Sequence, residues 1–182
     1  MAVEVLKKSI VGVYEIIHSP FIDKRGQFLN IFRSENTQIS SIWNNRPIEQ
    51  INLSKTSNAG TIRGMHMQKE PYSEAKLISC ITGKVFDVAV DLRRYSPTFG
   101  KWCKVILSPF LNNSIFIPEG CAHGFQTMEN NCEMIYIHSK NWKKELETGV
   151  NCNDKKLGIP WPIPQKHLSH RDENLPFLNS YG

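Results

Sequence analysis

The segment GTIRGMHMQ sets Arg63 and His66 on either side of Gly64, and Lys76 follows at the start of an apolar run. An imidazole titrates near neutral pH, so it can take a proton and return it under working conditions. Guanidinium and ammonium groups suit a phosphate or a developing oxyanion. Further on, IPEGCAHGF supplies His123, EMIYIHS supplies Tyr136, and LSHRDENLP supplies Arg171 and Asp172. Alone, each has an ordinary structural role. A strand histidine is usually a hydrogen-bonded core or surface group, a strand tyrosine a packed aromatic, and a strand lysine an edge charge. Asp172 alone reads as an exposed loop acid, and His18, His138, His167 and His170 stay in the ordinary class.

Metal binding is the competing chemistry, because small β-barrels often hold a metal on a His-x-His pair followed by an acid and a later histidine. Here the pair reads His66-Met67-Gln68. A thioether or an amide is a poor second ligand for zinc, iron or manganese, so neither a metal nor an organic cofactor is expected. The five cysteines (Cys80, Cys103, Cys121, Cys132, Cys152) are spread along the chain without a CxxC pair. That pattern fits neither a zinc knuckle nor a disulfide framework, and it suggests a reducing cytoplasm.

The elements that must position these groups are mostly strands. KLISCITGKVFDVAVDL gives two β-rich runs joined across Thr82-Gly83-Lys84, a hairpin signal, and KWCKVILS, SIFIPEG, HGFQTM and EMIYIHS follow. Turn clusters SPTFG, LNNS and MENN separate them, which predicts a sandwich or barrel. Only SSIWNN and KNWKKELETG could be helical, and both are too short to organise a core. The proline-rich stretch LGIPWPIPQKHLSHRDENLPF cannot hold a long helix or a central strand, so it is expected to lie as an ordered arm across the barrel.

A chain of 182 residues suits one domain over 1–182. Its net charge of +5 is scattered rather than striped, which points away from nucleic acid and towards a small anionic ligand. No run approaches the roughly 18 apolar residues of a membrane span, and no signal peptide or anchor is expected.

RGMHMQ, AKLISCITGKVFDVAVDLRRYSPTFGKW, IPEGCAHGF, the Tyr136 strand, LGIPWP and LSHRD together resemble the dTDP-4-dehydrorhamnose 3,5-epimerase family, in matching order over nearly the whole chain. The resemblance implies an all-β, cupin-type jelly-roll barrel with short peripheral helices. It also implies a homodimer whose N-terminal segment reaches the partner's site, and a metal-free site for a nucleotide-diphosphate sugar. Carried onto this sequence, it makes His66 the base paired with Asp172, Tyr136 the opposing acid, and Lys76 the neighbour of the sugar's C4 oxygen. Arg25, Asn30, Gln50, Asn52, Arg63, His123, Glu147 and Arg171 fall at ligand-contacting positions.

Those groups suit the reaction. The hydrogens on C3 and C5 of a 4-keto sugar both flank the carbonyl, so removing either gives an enolate charged on the C4 oxygen. A histidine can take the proton, an aspartate can orient it and stabilise its imidazolium, a lysine can meet the oxyanion, and a phenol can protonate the other face. The chain departs from the family pattern at Met65 and Met67 beside the base. Gln27 and Asn30 stand where an aromatic and a glutamate usually meet the nucleotide base, which predicts weak selectivity for dTDP. Close alternatives are a C3-only epimerase or an enzyme acting on a GDP- or CDP-linked 4-keto-6-deoxyheptose. A non-catalytic sugar-nucleotide-binding cupin is the alternative of another class, and it has no need of both His66 and Tyr136.

Overall fold

The computed structural model describes residues 2–35 and 37–181. In chain order the elements are β1 (Val3–Lys7), β2 (Tyr14–His18), β3 (Phe21–Asp23), β4 (Gly26–Phe28), α1 (Thr37–Trp43), β5 (Gln50–Thr56), β6 (Ile62–Gln68), β7 (Lys76–Thr82) and β8 (Val85–Asp91). They continue with β9 (Trp102–Leu107), β10 (Asn113–Ile117), β11 (Cys121–Thr127), β12 (Cys132–His138), β13 (Glu147–Gly149) and α2 (His170–Glu173). Two antiparallel sheets carry the architecture, in the orders β1-β2-β10-β7-β12-β5 and β13-β6-β11-β8-β9, while β3 and β4 pair only with each other. The expected all-β jelly roll is present. Its two sheets face one another without closing into one continuous hydrogen-bonded barrel.

The hairpin read at Thr82-Gly83-Lys84 is not formed. β7 lies between β10 and β12, whereas β8 lies between β11 and β9 in the other sheet. The local sequence encodes a chain reversal but not the sheet that the next strand joins. Gly83 has φ of 80°, and a Cβ there would meet Cys132 Sγ at 2.6 Å, so this tight corner against β12 accepts no side chain.

Burial on both sheet faces explains why the strands lack simple alternation. Along β8, Val85 and Ala89 join the core between the sheets with Ile78, Leu107, Phe125 and Met134. Phe86, Val88 and Val90 point the other way, into a second cluster closed by Val150 and by Leu157, Ile159 and Trp161 of the C-terminal arm. The outer face of the six-stranded sheet buries Ile16, Leu77, Phe116 and Ile137 under Trp43 of α1. Each such side chain contributes on the order of 2 kcal/mol of hydrophobic stabilisation before ordering entropy is counted.

The arm therefore docks as expected, through its apolar residues. SSIWNN overlaps the end of α1, which despite its length closes one core cluster. KNWKKELETG forms only a 3-10 turn at Lys144–Leu146 before extending into β13, which pairs with β6.

Candidate active site

A cavity of about 1010 Å³ opens between the sheets. From the five-stranded sheet, β6 contributes Arg63 and His66 and β11 contributes His123; from the six-stranded sheet come Gln50, Asn52, Lys76 and Tyr136. β13 adds Glu147, and the arm adds Arg171 and Asp172. Ten of the twelve residues picked out in the sequence thus line one space.

His66 Nε2 lies 2.7 Å from Asp172 Oδ1. The arm delivers that carboxylate through the short helix α2, whose cap Ser169 accepts a hydrogen bond from the Asp172 amide at 3.1 Å. Asp172 Oδ2 accepts from the Gly64 amide at 3.0 Å. A Cβ on Gly64 would come within 2.6 Å of both Gly124 Cα and the His123 carbonyl oxygen, so the close packing of β6 on β11 behind the histidine requires glycine there. Arg171 donates to Asp172 Oδ1 at 3.2 Å and to Glu147 Oε2 at 2.7 Å, and another of its nitrogens lies 2.9 Å from His66 Nε2. Burial opposes the Asp172 charge, but the His66 hydrogen bond and charge, the Gly64 amide and Arg171 outweigh it and hold the acid at about 2. His66 Nδ1 makes no hydrogen bond among the described residues. A fixed carboxylate on one ring nitrogen leaves the other to exchange a proton.

Tyr136 enters from the opposite sheet. Its hydroxyl sits 3.1 Å from Ser54 Oγ, and burial pushes its pKa upward, which keeps the phenol protonated. Lys76 is buried, pairs with Glu74 Oε1 at 2.9 Å and donates to the His66 carbonyl oxygen at 3.0 Å. Gln68, in the second place of the incomplete His-x-His pattern, spends its amide nitrogen on the Tyr72 carbonyl and Glu74, both at 3.0 Å.

His123 lines the same cavity and is backed by a second aspartate, Asp87, buried behind it. His123 Nε2 lies 2.8 Å from Asp87 Oδ2, and the His123 ring stands edge-on to Tyr136 at 6.0 Å between centroids. Asp87 is completely buried, and its other oxygen has no hydrogen-bond partner among the described residues. Burial raises its pKa despite the opposing pull of His123.

Arg25 and Asn30 lie outside this cavity. Arg25 sits at the tip of the exposed β3–β4 hairpin and pairs with Asp23 at 2.6 Å, and Asn30 lines a separate, smaller hollow with His18 and Arg33. None of the residues of this hairpin lines the cavity of its own chain. Conversely, Ser54, Glu74, Asp87, His138 and Trp142 belong to the site or its support and were not singled out. Two signals were available. Asp87 is a lone charge inside the apolar run VFDVAV, and His138 stands two residues beyond Tyr136, hence on the same strand face.

The family model described as dTDP-4-dehydrorhamnose 3,5-epimerase matches residues 7–180. A curated dTDP-4-dehydrorhamnose 3,5-epimerase from Shigella flexneri is 41% identical over 172 residues, covering 93% of each chain. The crystal structure of a 4-keto-6-deoxy sugar epimerase from the novobiocin gene cluster of Streptomyces spheroides superposes with a TM-score of 0.92 at 32% identity, over 99% of this chain and 89% of that one. The dTDP-6-deoxy-D-glucose-3,5-epimerase of Legionella pneumophila, solved with dTDP-4-keto-L-rhamnose, also gives a TM-score of 0.92 at 32% identity, over 98% and 94% of the two chains. With a cavity that sets a histidine–aspartate pair across from a protonated tyrosine, and with a family match over residues 7–180, the chain belongs to the dTDP-4-dehydrorhamnose 3,5-epimerase family.

Proposed function

We propose that this protein inverts C3 and C5 of a nucleotide-diphosphate-linked 4-keto-6-deoxy sugar, with His66 as base, Tyr136 as acid and Lys76 at the enolate oxygen. The observation that carries the reading is the placement of His66–Asp172 and Tyr136 on opposite sheets of one cavity. Inversion needs removal of a proton from one face of a carbon and return from the other. His66 takes the proton, Asp172 orients the ring and stabilises the imidazolium, and the electron pair moves to the C4 oxygen. Lys76 meets that charge, and Tyr136 gives its proton to the opposite face of the carbanion. Arg63 and Arg171 suit the diphosphate, whose oxygens match a planar guanidinium fork.

The protein acts as a homodimer in this reading. The β3–β4 hairpin exposes Phe21, Ile22 and Phe28, and the edge strand β5 exposes Ile51 and Leu53. Apolar surface of this kind suits cover by a second copy. A hairpin that leaves its own cavity can then bring Arg25, Gln27 and Asn30 to the partner's nucleotide. Asn30 in place of a glutamate, and Gln27 in place of an aromatic, weaken the preference for a thymine base. All five cysteines are unpaired and buried, which supports a reducing cytoplasm as its setting.

Incubation with a 4-keto sugar nucleotide in heavy water tests the reaction. Wild type should place solvent deuterium at both C3 and C5, and label at C3 alone would favour a single epimerase. His66→Ala should abolish exchange, whereas Tyr136→Phe should retain some exchange and lose inversion. Wild-type exchange in His66→Ala would remove the assigned base.

A further inference from the structure

Strand alternation places His138 on the cavity wall beside Tyr136, with the two rings stacked at 6.1 Å between centroids and 24° between planes. The epimerisation chemistry gives this imidazole no part. Its protonation state follows from a directed chain of hydrogen bonds. The Trp142 backbone amide, which can only donate, gives its proton to Gln50 Oε1 at 2.8 Å. Gln50 must therefore turn its nitrogen to Asn52 Oδ1, at 2.9 Å, and Asn52 in turn directs its nitrogen to His138 Nε2 at 3.4 Å. Nε2 is thus an acceptor, and the ring proton sits on Nδ1, which makes no hydrogen bond to the described residues. Burial first, then the charges of Lys76 and His123, lowers the His138 pKa to about 3, so the ring stays neutral.

We infer that His138 is a substrate-contacting specificity residue whose Nδ1–H donates a hydrogen bond to the C3 hydroxyl of the 4-keto sugar. The inference rests on the epimerase reading above. His138 stands between two assigned groups: directly across from Lys76 in the β12–β7 register and two residues beyond Tyr136 on β12. It therefore faces the part of the sugar around the ketone. Of the substituents flanking that ketone, C5 carries a methyl group, which offers nothing to a donor. C3 carries a hydroxyl with free lone pairs, and the carbonyl oxygen itself is met by Lys76. A donor that the bound sugar shields from water but leaves without its acceptor is costly, so the contact discriminates against sugars deoxygenated at C3.

The test compares two substrates, a nucleotide-linked 4-keto-6-deoxy sugar and its 3,6-dideoxy counterpart. The readout is kcat/KM for solvent-deuterium uptake at the carbons beside the ketone. Wild type should prefer the hydroxylated sugar by about tenfold or more. His138→Leu should bring that ratio close to one, and His138→Asn, which keeps a neutral donor, should restore most of it. Because each ratio is measured on one sample, it does not depend on how much of a variant folds. A wild-type ratio in His138→Leu would overturn the inference, as would a wild-type ratio near one. Wild type that exchanges neither sugar would instead overturn the epimerase reading, and the inference with it.

Discussion

Two histidines that line one cavity, His66 and His123, are each paired with an aspartate, Asp172 and Asp87, at nearly the same spacing, 2.7 Å and 2.8 Å. Their surroundings make them different acids. Asp172 comes from the arm and accepts from an imidazole, a backbone amide and a guanidinium, so it is held ionised at about 2. Asp87 comes from the middle of an apolar strand, hydrogen-bonds His123 and has no partner for its other oxygen among the described residues, so burial drives its pKa up against the charges of His123 and Lys76. A pair is therefore defined less by its two residues than by what satisfies the carboxylate's remaining lone pairs. The first pair can stabilise an imidazolium formed in turnover; the second is suited to holding His123 in place.

The sharpest way to break this comparison is to make both aspartates neutral. Asp172→Asn should lower kcat by about a hundredfold or more, because the imidazolium loses its fixed counter-charge. Asp87→Asn should cost less than about tenfold. Equal losses in the two variants would show that the difference in environment has no bearing on catalysis.

A smaller effect should appear in stability against pH. The folded pKa of Asp172 lies below its ordinary value of 3.8, so its contribution is fully present above about pH 4 and is lost as pH falls towards 2. That contribution is about 2 kcal/mol, and denaturant unfolding of Asp172→Asn should lack this acid-dependent part. Asp87 has the opposite sign. Its raised pKa makes ionisation in the fold unfavourable, so its part of the stability declines as pH rises through the ordinary carboxylate range. Asp87→Asn should therefore leave the protein at neutral pH as stable as wild type or more so.

Arg63 provides the control with the smallest expected effect. Its guanidinium donates to Thr56 Oγ1 at 3.0 Å and to the Lys55 carbonyl oxygen at 3.3 Å, and touches neither pair. Arg63→Ala should weaken binding of a nucleoside diphosphate by about 1.5 kcal/mol, roughly tenfold, in a calorimetric titration. The pH profile of stability assigned to Asp172 should stay unchanged. An unaltered dissociation constant would make Arg63 a structural residue.

Much of this site was legible because strand periodicity and motif order survive in the sequence. His66, Lys76, His123 and Tyr136 sit on strands that read as strands, and the resemblance to the epimerase family supplied Asp172, which its loop position alone does not suggest. Asp87 and Glu74 were missed because their importance lies in burial, and burial follows from which sheet covers which. The corner at Gly83 was misread for the same reason. Turn chemistry is local, but the choice of sheet is made by distant partners such as Cys132. Arg25 and Asn30 were read by resemblance, together with an N-terminal segment that reaches a partner's site, and within a single chain they lie outside the cavity.

That corner also bears on how the chain reaches its native state. Sending β7 and β8 to different sheets replaces the cheapest pairing, between sequence neighbours, with pairings to β10, β12, β11 and β9. Such a topology has high contact order and folds slowly, since long loops must close before any ladder repays their entropy. His66 and Tyr136 then share a cavity only after both sheets have assembled. A partly folded chain cannot be a partly active one, and recovery of activity after dilution from denaturant should follow the last step of assembly rather than the first appearance of strands.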